Sequence, residues 1–288
     1  PYATKDKYLP LHVSATCLQY GQEAFEGLKA FRGVDGKVRI FRWQENAKRM
    51  QRSAEGLYMV PVPTELFGRA IRMALANNMD FLPPYETGAT LYFRPLLIGT
   101  TPRLGVGPGK DFEFVVIPSP IGPYYPGKFH CTTFIVNRHV DRAAPLGTGQ
   151  FKVGGNYAAS FRATEKAHAQ GMDCLFLDSK QHKYIDECSA ANFIGIKERT
   201  KGQSTKYKGI EYLTPRSSAI LPSPIYYTGD PSLAFVFTQT PRILIFAYIS
   251  YLVGNFTNAR LTVIVNQTKG YIRLKNWLVV AFSEFVDD

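Results

Sequence analysis

Apolar and polar side chains alternate with a period of two over residues 37–42, directly after Gly33-Val-Asp-Gly36, a pattern that predicts the second arm of a β-hairpin. The period then changes. Over residues 45–57 the apolar side chains Ala47, Met50, Ala54 and Leu57 recur at three- and four-residue steps, which is helical spacing. Thr64 offers an N-cap for a second helix, whose stripe carries Leu66, Phe67, Ala70, Ile71, Ala74 and Leu75 before Asn77-Asn78. The β-rich runs 89–98 and 112–117 are expected as central strands. Residues 1–120 therefore read as a small α+β domain.

Pro118, Pro120, Gly122, Pro123, Pro126 and Gly127, with Tyr124 and Tyr125 among them, form the strongest linker candidate, and residues 121–131 are expected as an interdomain loop. Residues 132–288 follow as a larger second domain. Its expected elements are a strand over 132–137, a Gly-rich stretch over 147–155, a helix over 157–170 and strands over 174–177 and 192–196. Residues 197–210, rich in Lys, Gly and Thr, read as an exposed hairpin loop, and the stretch beyond Pro224 as mostly strand. The expected fold class is α/β (α+β) in two domains.

Composition narrows the classes. A chain of 288 residues, 45% hydrophobic and 20% charged with 24 Gly and 19 Pro, is neither disordered nor collagen-like nor a coiled coil. Its four cysteines are widely spaced, with no C-x-x-C pair, so neither a disulfide framework nor a metal site is expected, and a reducing, cytoplasmic compartment fits. The formal charge of +11 admits nucleic acid, an anionic surface or small anionic substrates. No Lys/Arg stripe interleaved with stacking aromatics stands out, so no nucleic-acid partner is expected. The longest apolar run, 243–253, is too short to span a bilayer, and residues 1–9 lack the apolar region of a signal peptide. The chain opens on Pro1 rather than Met, which reads as a fragment or a processed form.

Three groups of residues could carry chemistry. Lys152 stands among glycines in Gly147-Thr-Gly-Gln-Phe-Lys-Val-Gly-Gly-Asn-Tyr157, where desolvation could turn the amine into a nucleophile; an exposed loop lysine is the plainer alternative. Glu187, between a β-like run and small residues, could sit beneath a ring and keep a pyridinium nitrogen protonated, or be a solvated turn carboxylate. Tyr20, Phe25, Tyr92 and Arg94 form the third group. Arg94 lies in an otherwise apolar run, and a buried guanidinium needs an anionic partner, whether a structural carboxylate or a substrate.

Taken together, Glu26-Gly-Leu-Lys-Ala-Phe-Arg-Gly33, Arg94-Pro-Leu, Gly122-Pro-Tyr, Arg142-Ala-Ala-Pro-Leu-Gly-Thr-Gly149, Lys152-Val-Gly-Gly-Asn-Tyr-Ala-Ala-Ser160 and Asp186-Glu-Cys-Ser-Ala-Ala-Asn-Phe193 resemble the branched-chain amino acid aminotransferases, fold-type IV pyridoxal-phosphate enzymes. The likeness runs from about residue 12 to about residue 222. It implies a fold-type IV aminotransferase with pyridoxal 5'-phosphate at the interface of two domains. Lys152 matches the family's Schiff-base lysine, which also moves the substrate proton. Glu187 matches the carboxylate at the ring nitrogen, Tyr157 the phenol at the ring oxygen, and Arg49 the arginine on the cofactor phosphate. Phe25, Tyr20 and Tyr124 match apolar and phenolic walls of the substrate pocket, and Tyr92 and Arg94 the group that meets substrate carboxylates. The stretch matching residues 104–106 reaches the neighbouring subunit's pocket in the family, which implies a homodimer.

The resemblance ends after Leu221-Pro-Ser-Pro224, where an additional Pro displaces the family's phosphate-binding Thr, and the family's Gly-Thr-Ala turn is not found over residues 229–288. Either the C-terminal third is rebuilt or its residue identities differ from those encoded, and the second reading is favoured. The expected function is transamination of leucine, isoleucine and valine with 2-oxoglutarate. The alternatives are a D-amino-acid aminotransferase, an aminodeoxychorismate lyase, or a non-catalytic relative that binds without turnover.

Overall fold

A computed structural model describes residues 2–122, 133–170, 172–198, 210–223, 260–262 and 277–283. The alternation at 37–42 and the turn before it become a hairpin: β2 (Leu28–Arg32) pairs antiparallel with β3 (Val38–Ile40), and Gly36 takes a φ of 71° that closes the turn. Ahead of them lie α1 (Thr16–Tyr20) and β1 (Glu23–Phe25), neither of which the pattern signalled. The helical spacing at 45–57 becomes α2 (Trp43–Gly56), and the second stripe becomes α3 (Thr64–Ala76).

Strand β4 (Thr90–Gly99) is the spine of the first sheet. Along one edge it pairs with β5 (Phe112–Ile121) over its whole length; along the other, Leu91 to Phe93 meet β2 and Leu96 to Ile98 meet β1. Its side chains alternate toward α2 and α3, where Leu91 and Phe93 join Ala47, Met50, Ala54, Phe67 and Ile71 in one buried cluster.

Two expectations are corrected in this half. Thr64 is the first residue of α3 rather than its cap, the cap position falling to Pro63; the Thr64 hydroxyl accepts a hydrogen bond from Gln51 of α2 instead. Pro118 and Pro120, assigned to the linker, lie within β5, opposite Phe93 and Leu91. Two residues apart, they share one edge of the strand, and an edge that no other strand of the described residues pairs with tolerates a missing N–H donor.

The second sheet is ordered around β6 (Thr133–Asn137), β7 (Asp173–Leu177), β8 (Ile185–Cys188) and β9 (Ala191–Glu198). β6 and β7 run parallel, which requires a crossover, supplied here by α4 (Gly154–Ala158) and α5 (Phe161–His168). The single helix expected over 157–170 is thus two helices beginning earlier. Ser160 makes the break: its backbone N–H and its hydroxyl both donate to the Tyr157 carbonyl, which a continuous helix would use for the next turn.

β10 (Ile210–Leu213) pairs with one end of β9, on the far side of the expected loop, most of which lies outside the described residues. β11 (Arg260–Thr262) adds to β6 and β12 (Trp277–Ser283) to β9; the rest of the stretch read as mostly strand lies outside the described residues. No helix among the described residues is long and apolar enough to cross a membrane.

Candidate active site

Lys152 stands in the loop before α4, and its backbone is anchored to the first half of the chain. Its N–H donates to the Ser53 hydroxyl of α2 at 2.8 Å, and its carbonyl accepts from the Phe25 N–H of β1 at 3.1 Å. The glycines ahead of it let this loop lie close to its neighbours: a Cβ on Gly149 would sit 2.6 Å from the Ala219 Cα. The alternative of an exposed lysine is excluded, because Lys152 is only 3% exposed.

The amine donates to the Tyr157 hydroxyl at 2.9 Å and lies 4.8 Å from the centre of the Phe25 ring. Phe25 and Tyr157 meet with ring centres 5.1 Å apart. The Arg94 guanidinium lies 4.9 Å from the centre of the same Phe25 ring and donates to the Tyr92 hydroxyl at 3.0 Å. The Lys152 amine and the half-buried Arg94 guanidinium therefore share one aromatic ring, a pair of basic groups suited to attracting a carboxylate. Gly27 makes room for this group, since a Cβ there would lie 2.6 Å from the Tyr92 hydroxyl oxygen. Burial pushes the Tyr92 phenol above its ordinary range.

Glu187 reaches the site from β8 and is buried, not solvated. One of its oxygens pairs with Arg142 at 2.8 Å; the other accepts from the Asn192 amide at 2.7 Å. Arg142 also donates to the Gly149 carbonyl at 3.3 Å, in the loop that carries Lys152, and to the Ala219 carbonyl. The acid and the amine are thus fixed to one frame. Strand alternation places Asp186 on the other face of β8. There it lines a cavity of about 770 Å³ with Tyr184, Phe193 and Arg216, and that cavity contains none of Lys152, Tyr157 and Glu187.

Arg49, on α2, is 1% exposed. Glu26 holds its Nε at 2.5 Å and one terminal nitrogen at 2.8 Å, while the other terminal nitrogen donates to the Pro222 carbonyl at 3.2 Å. The guanidinium therefore stands at the Leu221-Pro222 turn, the place the resemblance assigns to the phosphate. Tyr20 is set differently from the other expected wall residues: it ends α1, is 41% exposed, and its hydroxyl donates to the Leu104 carbonyl. Tyr124 lies outside the described residues.

Reading the sequence did not single out Glu26, Asn46, Ser53, Arg142 or Asn192. Glu26 is fully buried and takes bonds from Arg49, from Asn46 at 2.9 Å and from the Gly27 N–H at 3.1 Å. The signal was available for two of them, by the logic applied to Arg94: Glu26 follows the apolar pair Ala24-Phe25, and Arg142 precedes Ala-Ala-Pro-Leu. Ser53, Asn46 and Asn192 carry no such signal, since small polar residues occur in any helix or turn.

The donor set fits pyridoxal phosphate, the cofactor of fold-type IV aminotransferases. A buried primary amine suits the aldehyde, with a phenol beside it for the ring oxygen. A buried carboxylate suits a protonated ring nitrogen, and a guanidinium suits the phosphate. Among the described residues, no group of three or more His, Cys, Asp or Glu is placed to hold a metal ion.

Comparison with known proteins agrees. The chain is 46% identical over 231 residues to the branched-chain-amino-acid aminotransferase of Haemophilus influenzae, covering 78% of this chain and 64% of that one. To the corresponding Helicobacter pylori protein it is 44% identical over 223 residues, covering 75% of this chain and 61% of the other. The T.th. branched-chain amino acid aminotransferase, solved with pyridoxamine 5'-phosphate, superposes with a TM-score of 0.55 at 30% identity, over 66% of this chain and 60% of that one. The chain spans less than two thirds of the length of these relatives. Residues 23–225 match the family described as Amino-transferase class IV, a match that stops where the recognisable motifs stop. With its lysine loop, acid strand and arginine helix all inside that match, the chain belongs to the class IV aminotransferases.

Proposed function

We propose that this chain is the catalytic part of a pyridoxal-phosphate-dependent aminotransferase that exchanges the amino group of leucine, isoleucine and valine with 2-oxoglutarate. The observation that carries the reading is the Lys152 amine, buried against Phe25 and hydrogen-bonded to Tyr157, on the same frame as the Arg142–Glu187 pair. When bound, the cofactor supplies a carbonyl that accepts the amino group and a ring that withdraws electrons from the substrate Cα. Lys152 then takes the Cα proton and returns it, and its buried setting keeps water from competing. Tyr157 holds the amine in place, Glu187 holds the ring nitrogen protonated, and Arg49 holds the phosphate.

Phe25 and Tyr92 offer an apolar and phenolic surface to a branched side chain. Arg94, above the Phe25 ring, offers the cation that the second carboxylate of glutamate requires. A homodimer accounts for a surface otherwise costly to expose: Val13, Leu18, Tyr20, Leu104 and Val106 are all exposed. Tyr20 and the 104–106 stretch, hydrogen-bonded to each other, would then serve the partner's pocket together. A cytoplasmic location goes with the free thiols of Cys17, Cys174 and Cys188.

Replacing Lys152 by Ala tests the assignment. The protein is expected to take up pyridoxal phosphate without the absorption change of imine formation and to lose leucine transamination by more than about a hundredfold; retained turnover would remove Lys152 from its role.

A further inference from the structure

We infer that Arg142 is a positioning residue for Glu187, holding that acid charged and in place and locking it to the loop that presents Lys152. The inference rests on the cofactor reading above and extends it to a residue outside the expected set. Arg142 is 7% exposed, and one terminal nitrogen serves acceptors on three separate segments: Glu187 on β8 at 2.8 Å, the Gly149 carbonyl in the lysine loop at 3.3 Å, and the Ala219 carbonyl ahead of the Leu221-Pro222 turn.

The partition of partners around Glu187 carries the argument. Its other oxygen is bound by Asn192, which is neutral, and the Leu221 N–H approaches the Arg142-bound oxygen at 3.4 Å. Arg142 thus brings positive charge into contact with the acid. A carboxylate can attract a protonated ring nitrogen only while it is ionised, and a contacting guanidinium favours that state. Scaffolding alone does not explain a buried cation here. The Nε of Arg142 is buried with no hydrogen-bond partner among the described residues, a cost that neutral donors to the same carbonyls would avoid. Asp186, on the far face of β8, lines the cavity with Tyr184, Phe193 and Arg216 instead, so the contact at 2.8 Å makes Glu187 the acid the guanidinium serves.

The test is a titration of cofactor-free protein with pyridoxal phosphate, followed by absorption and run on wild type, Arg142→Gln, Arg142→Lys, Glu187→Gln and the Arg142→Gln/Glu187→Gln double variant. Arg142→Gln is expected to weaken uptake by about tenfold or more and to move the absorption band of the bound cofactor. Arg142→Lys should keep the wild-type band with intermediate affinity. The double variant should lose less than the sum of the two single losses, because Arg142 acts largely through that acid. Losses that simply add, or Arg142→Gln uptake with wild-type affinity and band, overturn the inference while leaving the cofactor reading intact. Wild-type protein that takes up no pyridoxal phosphate overturns both. Should Arg142→Gln fail to fold by circular dichroism, Arg142→Lys decides, and uptake equal to wild type then overturns the inference.

Discussion

Buried charges are the costliest residues in this chain, and among the described residues Arg49 meets Glu26 and Arg142 meets Glu187. Arg49 and Glu26, at 1% and 0% exposure, form a two-point pair, and Asn46 and the Gly27 N–H complete the carboxylate's shell. Removing one member of such a pair is far worse than never having it. Glu26→Ala is therefore expected to destabilise the fold by about 3–5 kcal/mol, read as a lowered melting temperature, with Glu26→Gln costing less because it keeps an acceptor oxygen. Arg94 differs in kind. It has an aromatic ring and a phenol around it, and in the proposed function the pair Tyr92–Arg94 receives the second carboxylate of glutamate. Arg94→Leu is expected to lower kcat/KM for glutamate by about tenfold or more while affecting leucine much less. Equal losses for both substrates would assign Arg94 to the shared α-carboxylate or to the scaffold. These residues were partly legible beforehand: an arginine in an apolar strand announces itself, whereas the same pattern does not say whether its partner is a side chain or a substrate.

Local elements set the site by how closely they can approach. The lysine loop lies on the 217–221 segment because Gly149 has no side chain, and the neighbours there are backbone atoms that cannot swing away. Gly149→Ala is expected to cost about 1–3 kcal/mol and to weaken pyridoxal phosphate uptake, as the loop carrying Lys152 is pushed off its seat. Gly155, where an added methyl would meet nothing within 4 Å, serves as the control and should accept Ala without comparable loss of uptake. The same scale explains the misjudged elements. Ser160 divides one expected helix into α4 and α5 through bonds to the Tyr157 carbonyl. The two prolines of β5 are ordinary for an edge strand, yet in a one-dimensional pattern they look like a linker.

Across the whole molecule, the site belongs to neither sheet alone: β1 and α2 hold the backbone of Lys152, β8 holds Glu187, and α2 carries Arg49. Glu23 sits at this junction, with its carboxylate against Gly154 at the start of α4, and burial pushes its carboxyl above the ordinary range. The folded state then keeps a proton that the unfolded state has already released. Stability falls as pH rises from the ordinary glutamate range through the raised folded value. Glu23→Gln removes that titration, so melting temperature followed from acid to neutral pH should decline less for the variant than for wild type. A parallel pair of curves would show that Glu23 is as well solvated in the fold as in the unfolded chain.

The linear order of residues determined the periods that make α2, α3, β4 and β9, and the segments around Lys152 and Glu187 whose likeness to the family named the cofactor, because these are local properties of a chain. Tertiary structure alone decided which buried polar groups meet. The pairing of Arg49 with Glu26, of Arg142 with Glu187, and of the Lys152 backbone with Ser53 each joins segments far apart in the chain. Such pairs form only where packing excludes water, and no periodicity records where that will happen.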